Sequence, residues 1–132
     1  MKKLIPLIII ALGLASAAHA ADDSKIVAEL DQALEKLQKL TILTADGGAY
    51  YKQNATGDRN ARCDTEKVVA TVKGIITKIE GRPVDSIEDI MESMKTRKLV
   101  GNPENWRKEF AEKTMKGSHV RSLLIVLTRK IK

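Results

Sequence analysis

Residues 64–81, DTEKVVATVKGIITKIEG, constrain the fold more than any other part of this chain. At about 100° per residue, the six β-branched apolar residues of this stretch fall within an arc of roughly 120°, and the polar and glycine positions after Thr65 lie outside it. Asp64 is a suitable N-cap, and Gly81 shortly before Pro83 is a typical helix end. The pattern predicts a helix that buries one stripe in a core. The stripe consists of Val68, Val69, Val72, Ile75, Ile76 and Ile79.

Residues 1–20 have the three-part pattern of a secretory signal peptide. Lys2 and Lys3 precede an apolar run over 4–15, and Ala18-His19-Ala20 places small residues at both recognition positions of a cleavage site. A retained membrane anchor is the alternative, but the run is shorter than the roughly 20 residues that a spanning helix needs. We therefore expect cleavage after Ala20, which leaves residues 21–132 as one domain in the periplasm or outside the cell.

The charge of the exported chain disfavours nucleic acid as a partner. Without Lys2 and Lys3, the formal charge of +6 falls to +4, because no acidic residue precedes Asp22. Lysine and glutamate are interspersed along most of the sequence, as on a solvated mixed surface. Another protein is the partner that we expect, with anionic lipid, a cell-wall polymer or an acidic protein as the open alternatives.

Helical spacing of apolar residues recurs along the rest of the chain, which predicts an all-α fold. The final segment, 118–132, is ambiguous: its apolar residues follow helical spacing, but the run over 123–127 also suits a buried strand, and we favour helix. We thus expect a small bundle of four or five helices after the signal peptide. Besides 64–81, the predicted helices are 25–40, 87–99 with a cap at Ser86, and 103–116 with Pro103 in the first turn.

Two groups of side chains are candidates for contact with a partner. Residues 45–62 lack periodicity and are rich in turn formers, so we predict a long surface loop with at most one helical turn around 49–53; loops of this length are typically functional or disordered. Tyrosine and arginine are enriched at interfaces, and an aromatic pair at i, i+4 on the fourth helix either packs in the core or anchors a partner. The candidate binding residues are Tyr50, Tyr51, Arg59 and Arg62 in the loop, and Trp106 and Phe110 on the helix.

Cys63 is the only cysteine, so the chain has no intramolecular disulfide. It lies in a predicted polar connection between Arg62 and Asp64, where an accessible thiol would join two copies in a homodimer through an intermolecular disulfide. The alternative, which we favour, is a buried thiol, since free cysteines are often buried. His119 is the only histidine after the signal peptide and belongs to no metal-binding or catalytic motif. We accordingly expect no cofactor, no metal and no enzymatic activity.

One stretch supports a different fold. Residues 74–96, GIITKIEGRPVDSIEDIMESMKT, resemble the part of PDZ domains in which a strand, a tight glycine turn, a Pro-Val pair and a helix follow one another. Residues 122–130, SLLIVLTRK, would then form the closing strand. The resemblance implies an α+β, PDZ-like fold and peptide binding. The carboxylate-binding loop of that family has no counterpart in this sequence.

Together these patterns indicate a small exported protein that acts as a protein-binding module in the bacterial envelope. Inhibitors, immunity or exclusion factors, and adaptor or chaperone-like proteins belong to this class, because they need surface and no catalytic groups. A PDZ-like peptide binder and a basic envelope-surface binder are the competing hypotheses.

Overall fold

A computed structural model describes residues 24–56 and 60–132 of the chain. The predicted signal peptide, residues 1–20, and the candidate contact Arg59 lie outside these described residues. Within them, the chain forms six helices and one two-stranded sheet. In chain order the elements are α1 (24–39), α2 (Ala45–Ala55), β1 (Arg62–Asp64), α3 (Thr65–Glu80), α4 (Ile87–Thr96), α5 (Pro103–Phe110), β2 (Thr114–Lys116) and α6 (Gly117–Arg129).

Helix α3 confirms the central prediction. The Asp64 side chain accepts a hydrogen bond from the Glu66 backbone N–H, and Gly81 ends the helix in the left-handed conformation with φ 74°. Four residues of its apolar stripe are buried, whereas Val69 and Ile79 are partly buried against the core. Helix α3 contacts β1, α4, α5 and α6, so it is a central element of the packing.

Helix α2 corrects the prediction of a long loop over 45–62. The Thr44 side chain caps this helix by accepting a hydrogen bond from the Gly47 N–H. Its apolar pattern is weak because a single large side chain, that of Tyr51, is buried. Periodicity could not detect the helix, since a helix with one large anchor has no repeating apolar stripe.

The predicted fourth helix is shorter than expected. Helix α5 ends at Phe110, and residues 114–116 form β2, which pairs antiparallel with β1 so that Cys63 lies opposite Met115. Both strands alternate exposed, buried and exposed residues, and three residues are too few for this alternation to stand out in the sequence. The ambiguous C-terminal segment is helix α6, as favoured, and it begins directly after β2.

The PDZ-like alternative is wrong. Residues 75–80, which would form a strand in that fold, belong to α3, and residues 122–129 belong to α6. Of the two interpretations of the Cys63 thiol, the structure shows the buried one, with the residue 0 % exposed. The polar neighbours Arg62 and Asp64 point outward along the short strand, whereas Cys63 points inward.

Polar contacts join the helices where their ends meet. The Glu80 carboxylate at the end of α3 accepts hydrogen bonds from Ser93 Oγ and Arg97 Nε, both at 2.6 Å, and these bonds lower the pKa of Glu80. Lys36 Nζ of α1 donates to the Ile131 carbonyl at 2.9 Å, next to the end of α6. Within the described residues, every helix is too short or too polar to cross a membrane.

Candidate functional site

An open groove of about 960 Å³ lies beside α3. It lies between the first half of α3, strand β1 and the chain that connects α5 to β2. Helix α3 supplies residues from Thr65 to Lys73 that recur with helical spacing, on a side of the helix next to its buried stripe. One helix thus contributes both to the core and to a wall of this groove.

The groove combines apolar walls with charges of both signs. Val69 and Ile87 are half-buried and Phe110 is 5 % exposed, so they form a continuation of the core that reaches the surface. The charged side chains around them are mostly exposed. The cations are Arg62, Lys73 and Lys113, and the anions are Asp64, Glu66 and Glu112.

Tyr50 and Arg62 are held in place at the sheet end of the groove. The Tyr50 hydroxyl accepts a hydrogen bond of 2.7 Å from the Asp64 backbone N–H, and Lys67 Nζ lies 5.2 Å from the centre of the Tyr50 ring. Arg62 Nε donates to the Thr114 hydroxyl at 2.6 Å across the two strands. Because these contacts fix both side chains before any partner arrives, this end of the groove is largely preformed.

One polar atom at the groove lacks a partner. The hydroxyl of Thr65, in the first turn of α3, is buried and makes no hydrogen bond within the described part of the chain. The Thr65 backbone N–H, in contrast, donates to the Lys113 carbonyl at 3.1 Å. That backbone bond fixes the α5–β2 connection against the start of α3.

The structure brings some of the predicted contact residues together and separates others. Tyr50, Arg62 and Phe110 all line the groove. Trp106 lies on a different side of α5, although its ring centre is only 6.4 Å from that of Phe110. Tyr51 is 1 % exposed, and burial raises the pKa of its hydroxyl, so its ring is a core group with no surface to offer a partner.

Cys63 is a core residue as well. Burial raises the pKa of its thiol to about 11, which keeps the sulfur protonated at neutral pH. A disulfide between two copies through Cys63 would therefore require β1 to separate from its neighbours first.

Val69, Lys73 and Ile87 also line the groove, but they are not among the contact residues predicted from the sequence. Val69 belongs to the predicted apolar stripe, and Ile87 is the first residue of the predicted helix 87–99. That both are half-buried depends on which helices are adjacent. A spacing of i, i+4 from Val69 to Lys73 was the available signal, but it does not distinguish a groove from an ordinary helix surface.

In the described ranges 24–56 and 60–132, histidine, cysteine, aspartate and glutamate side chains form no cluster of three that could hold a metal ion. Comparison with known proteins adds no relative: no protein-family model, no curated protein and no solved structure matches this chain.

Proposed function

We propose that this chain is an exported protein of the bacterial envelope that binds a segment of another protein in the groove beside α3. The observation that carries the proposal is the composition of the groove, in which partly exposed apolar side chains are bordered by charges of both signs. Protein interfaces have the same arrangement of an apolar centre within a polar rim.

The charges around the groove favour a polypeptide over a simple ion or lipid. A phosphate or an anionic headgroup attracted by Lys73 and Lys113 would also meet the carboxylates of Glu66 and Glu112. A polypeptide segment can carry acidic and basic side chains at matching positions and place apolar side chains between them. This favours a protein partner over the basic envelope-surface binder.

The groove is open to solvent, so an extended or helical segment can lie in it and continue beyond its ends. At about 960 Å³ it lies at the upper end of the range of roughly 300–1,000 Å³ that is usual for small-molecule sites. Inhibitors, immunity or exclusion factors and adaptors bind in this way without chemistry of their own. Export rests on the signal-peptide pattern of residues 1–20.

Blocking the groove without disturbing the core tests the proposal. Ala70 is an exposed alanine of α3 that lines the groove, and Ala49 is an exposed alanine of α2 outside it. The changes Ala70→Arg and Ala49→Arg add the same side chain and the same charge. The tagged protein, purified from its native envelope, should retain one stoichiometric partner in the wild-type and Ala49→Arg forms, and Ala70→Arg should weaken that binding at least about tenfold.

Three results would count against the proposal. Equal retention of the partner by the Ala70→Arg form would place the contact elsewhere on the molecule. Failure of the wild-type protein to retain any stoichiometric protein would remove the binding-module function. Turnover of a peptidoglycan or peptide substrate by the purified protein alone would replace it with an enzymatic one.

A further inference from the structure

A second concave site, which we call the tryptophan cleft, lies between α5 and α6 and shares no lining residue with the groove. Its volume is about 430 Å³, within the range of small-molecule sites. Helix α5 supplies three residues, at i, i+1 and i+4, together with its N-cap, and α6 supplies two at i and i+3, so one face of each helix forms a wall. The lining residues are Asn102, Asn105, Trp106, Glu109, His119 and Ser122.

The aromatic wall of the cleft is held by its neighbours. Trp106 is half-buried, and its ring meets the His119 ring edge-to-face, with centres 6.5 Å apart and an interplanar angle of 83°. Its ring centre also lies 6.4 Å from that of Phe110, with an interplanar angle of 34°. Because these two rings restrain the indole where it lines the cleft, a ligand that stacks on it does not have to order it first.

The polar wall is also oriented. His119 Nδ1 and Glu109 Oε1 are in hydrogen-bond contact, which fixes the imidazole plane and leaves Nε2 at the opposite edge of the ring. The Asn102 side chain does not cap α5, so its carboxamide is available to a ligand. The Ser122 hydroxyl donates to the Ser118 carbonyl at 3.1 Å and so acts as an acceptor in the cleft, not as a nucleophile activated by His119.

The set of side chains selects a class of ligand. The cleft has one aromatic ring, two carboxamides, an imidazole, a carboxylate and a hydroxyl, and its lining includes no lysine, arginine or aliphatic side chain. Without a lysine or arginine, and with the Glu109 carboxylate present, the cleft does not favour an anion. Carboxamides, imidazole and hydroxyl both donate and accept hydrogen bonds, which is what a ligand with many hydroxyl groups requires.

A sugar ring has the matching surface. One face of a pyranose presents several C–H bonds, whose slight positive charge is attracted to the electron-rich face of an indole. Its hydroxyls project around the edge of the ring, where they alternate as donors and acceptors. We propose that the tryptophan cleft binds a pyranose unit of a glycan, with the ring against Trp106 and its hydroxyls hydrogen-bonded by Asn102, Asn105 and His119. This inference does not depend on what the groove binds.

Trp106 is the only tryptophan in the chain, so its intrinsic fluorescence reports on the cleft directly. The protein is titrated at constant pH with chitotriose, a trimer of N-acetylglucosamine, and with maltotriose, a trimer of glucose. We expect a saturable change in emission with at least one of them. A response to chitotriose alone would identify an amino-sugar glycan such as that of the cell wall, and a response to maltotriose alone would identify a neutral glucan.

Two exposed residues of α5 provide the matched variants. Asn105→Ala removes a carboxamide from the cleft and should raise the dissociation constant about tenfold, as expected for the loss of one or two ligand hydrogen bonds. Lys108→Ala changes the same helix outside the cleft and should bind as the wild type does. No saturable change with either sugar, or equal affinity of the Asn105→Ala and wild-type forms, would overturn the proposal.

Discussion

Helices α2 and α3 lie close together in the fold, but different forces specify them. Helix α3 has a continuous apolar stripe and caps at both ends, so its own residues favour the helix and define the face that is buried. Helix α2 has two glycines in its first turn, Gly47 and Gly48, and one large buried side chain, Tyr51. A helix can therefore be specified by what it packs against as well as by its own apolar pattern.

Contacts with several other elements hold α2. The Tyr51 hydroxyl donates to the Lys67 carbonyl of α3 at 2.9 Å and lies 2.8 Å from Thr71 Oγ1. The Tyr50 hydroxyl accepts from the backbone of Asp64 in β1. At the end of α2, Gly117 of α6 approaches so closely that a Cβ atom there would lie 2.3 Å from the Asn54 carbonyl oxygen.

We expect the largest effect from Gly117→Ala. The added methyl group would clash with the backbone of α2 and with the Ala61 carbonyl, at 3.1 Å, and backbone cannot move aside as the end of a side chain can. The free energy of unfolding, measured by urea denaturation, should fall by about 3 kcal/mol or more.

Gly101→Ala is the matched control for this change, because a Cβ atom at Gly101 meets no other group within 4 Å. Its free energy of unfolding should stay within about 0.5 kcal/mol of that of the wild type. If Gly117→Ala proves as stable as this control, α6 can move away from α2 at little cost, and the position of α2 does not depend on Gly117.

Tyr51→Phe should have the next largest effect. Removal of the hydroxyl deletes the bond to the Lys67 carbonyl and the contact with Thr71, which should lower the free energy of unfolding by about 1 to 2 kcal/mol. Hydrogen exchange followed by mass spectrometry distinguishes an effect on α2 from an effect on the whole fold. Amides of α2 should exchange faster in the variant, whereas those of α3 should change less, because α3 keeps its own apolar stripe. An equal acceleration in both helices would show that they open as one unit.

Burial of the Cys63 thiol predicts that the stability of the fold decreases at alkaline pH. Burial raises its pKa from the ordinary value of 9.0 to about 11, so the folded state favours the protonated thiol. This stabilisation is fully present below about pH 9 and is lost as the pH rises through about 11, since the unfolded chain ionises first. Melting temperatures measured over this interval should fall more steeply for the wild type than for Cys63→Ala. Parallel curves would mean that the thiol is not buried as the structure shows.

The smallest effect that we expect is that of Gly48→Ala. A Cβ atom at Gly48 would lie 2.2 Å from Gln38 Nε2, but this atom is the far end of a flexible, exposed side chain that can turn aside. Alanine is favoured over glycine within a helix by about 1 kcal/mol. The net result should be a gain of less than about 1 kcal/mol in the free energy of unfolding. A clear loss that Gln38→Ala does not relieve would show that α1 and α2 approach too closely for any side chain at this position.

The contrast between the two helices also explains which parts of the fold were predictable. Helices α1, α3, α4 and α6 were predicted because each repeats an apolar face over several turns. Helix α2 and the strands were missed, and α5 was predicted too long, because the pairing of Cys63 with Met115 joins residues that are far apart in the chain. A three-residue strand has no stability of its own that a local pattern could reveal.

The candidate sites divide in the same way. Residue type in the predicted loop selected Tyr50 and Arg62, and spacing on the predicted helix selected Phe110. The structure places all three around one groove. No local pattern indicated that Glu109 orients His119 beside Trp106. That arrangement requires α5 and α6 to lie side by side, with their facing residues in register.

Local patterns in the sequence were enough to predict the helical class, the central helix with its caps and a signal peptide. Each of these patterns depends on neighbours within a few turns of the chain. Only the tertiary structure decided that residues 45–55 are helical, that Cys63 is buried, and that α5 lies between a groove and a cleft. Those properties depend on which surfaces are left exposed once the helices have packed, and this is set by contacts between residues remote in sequence.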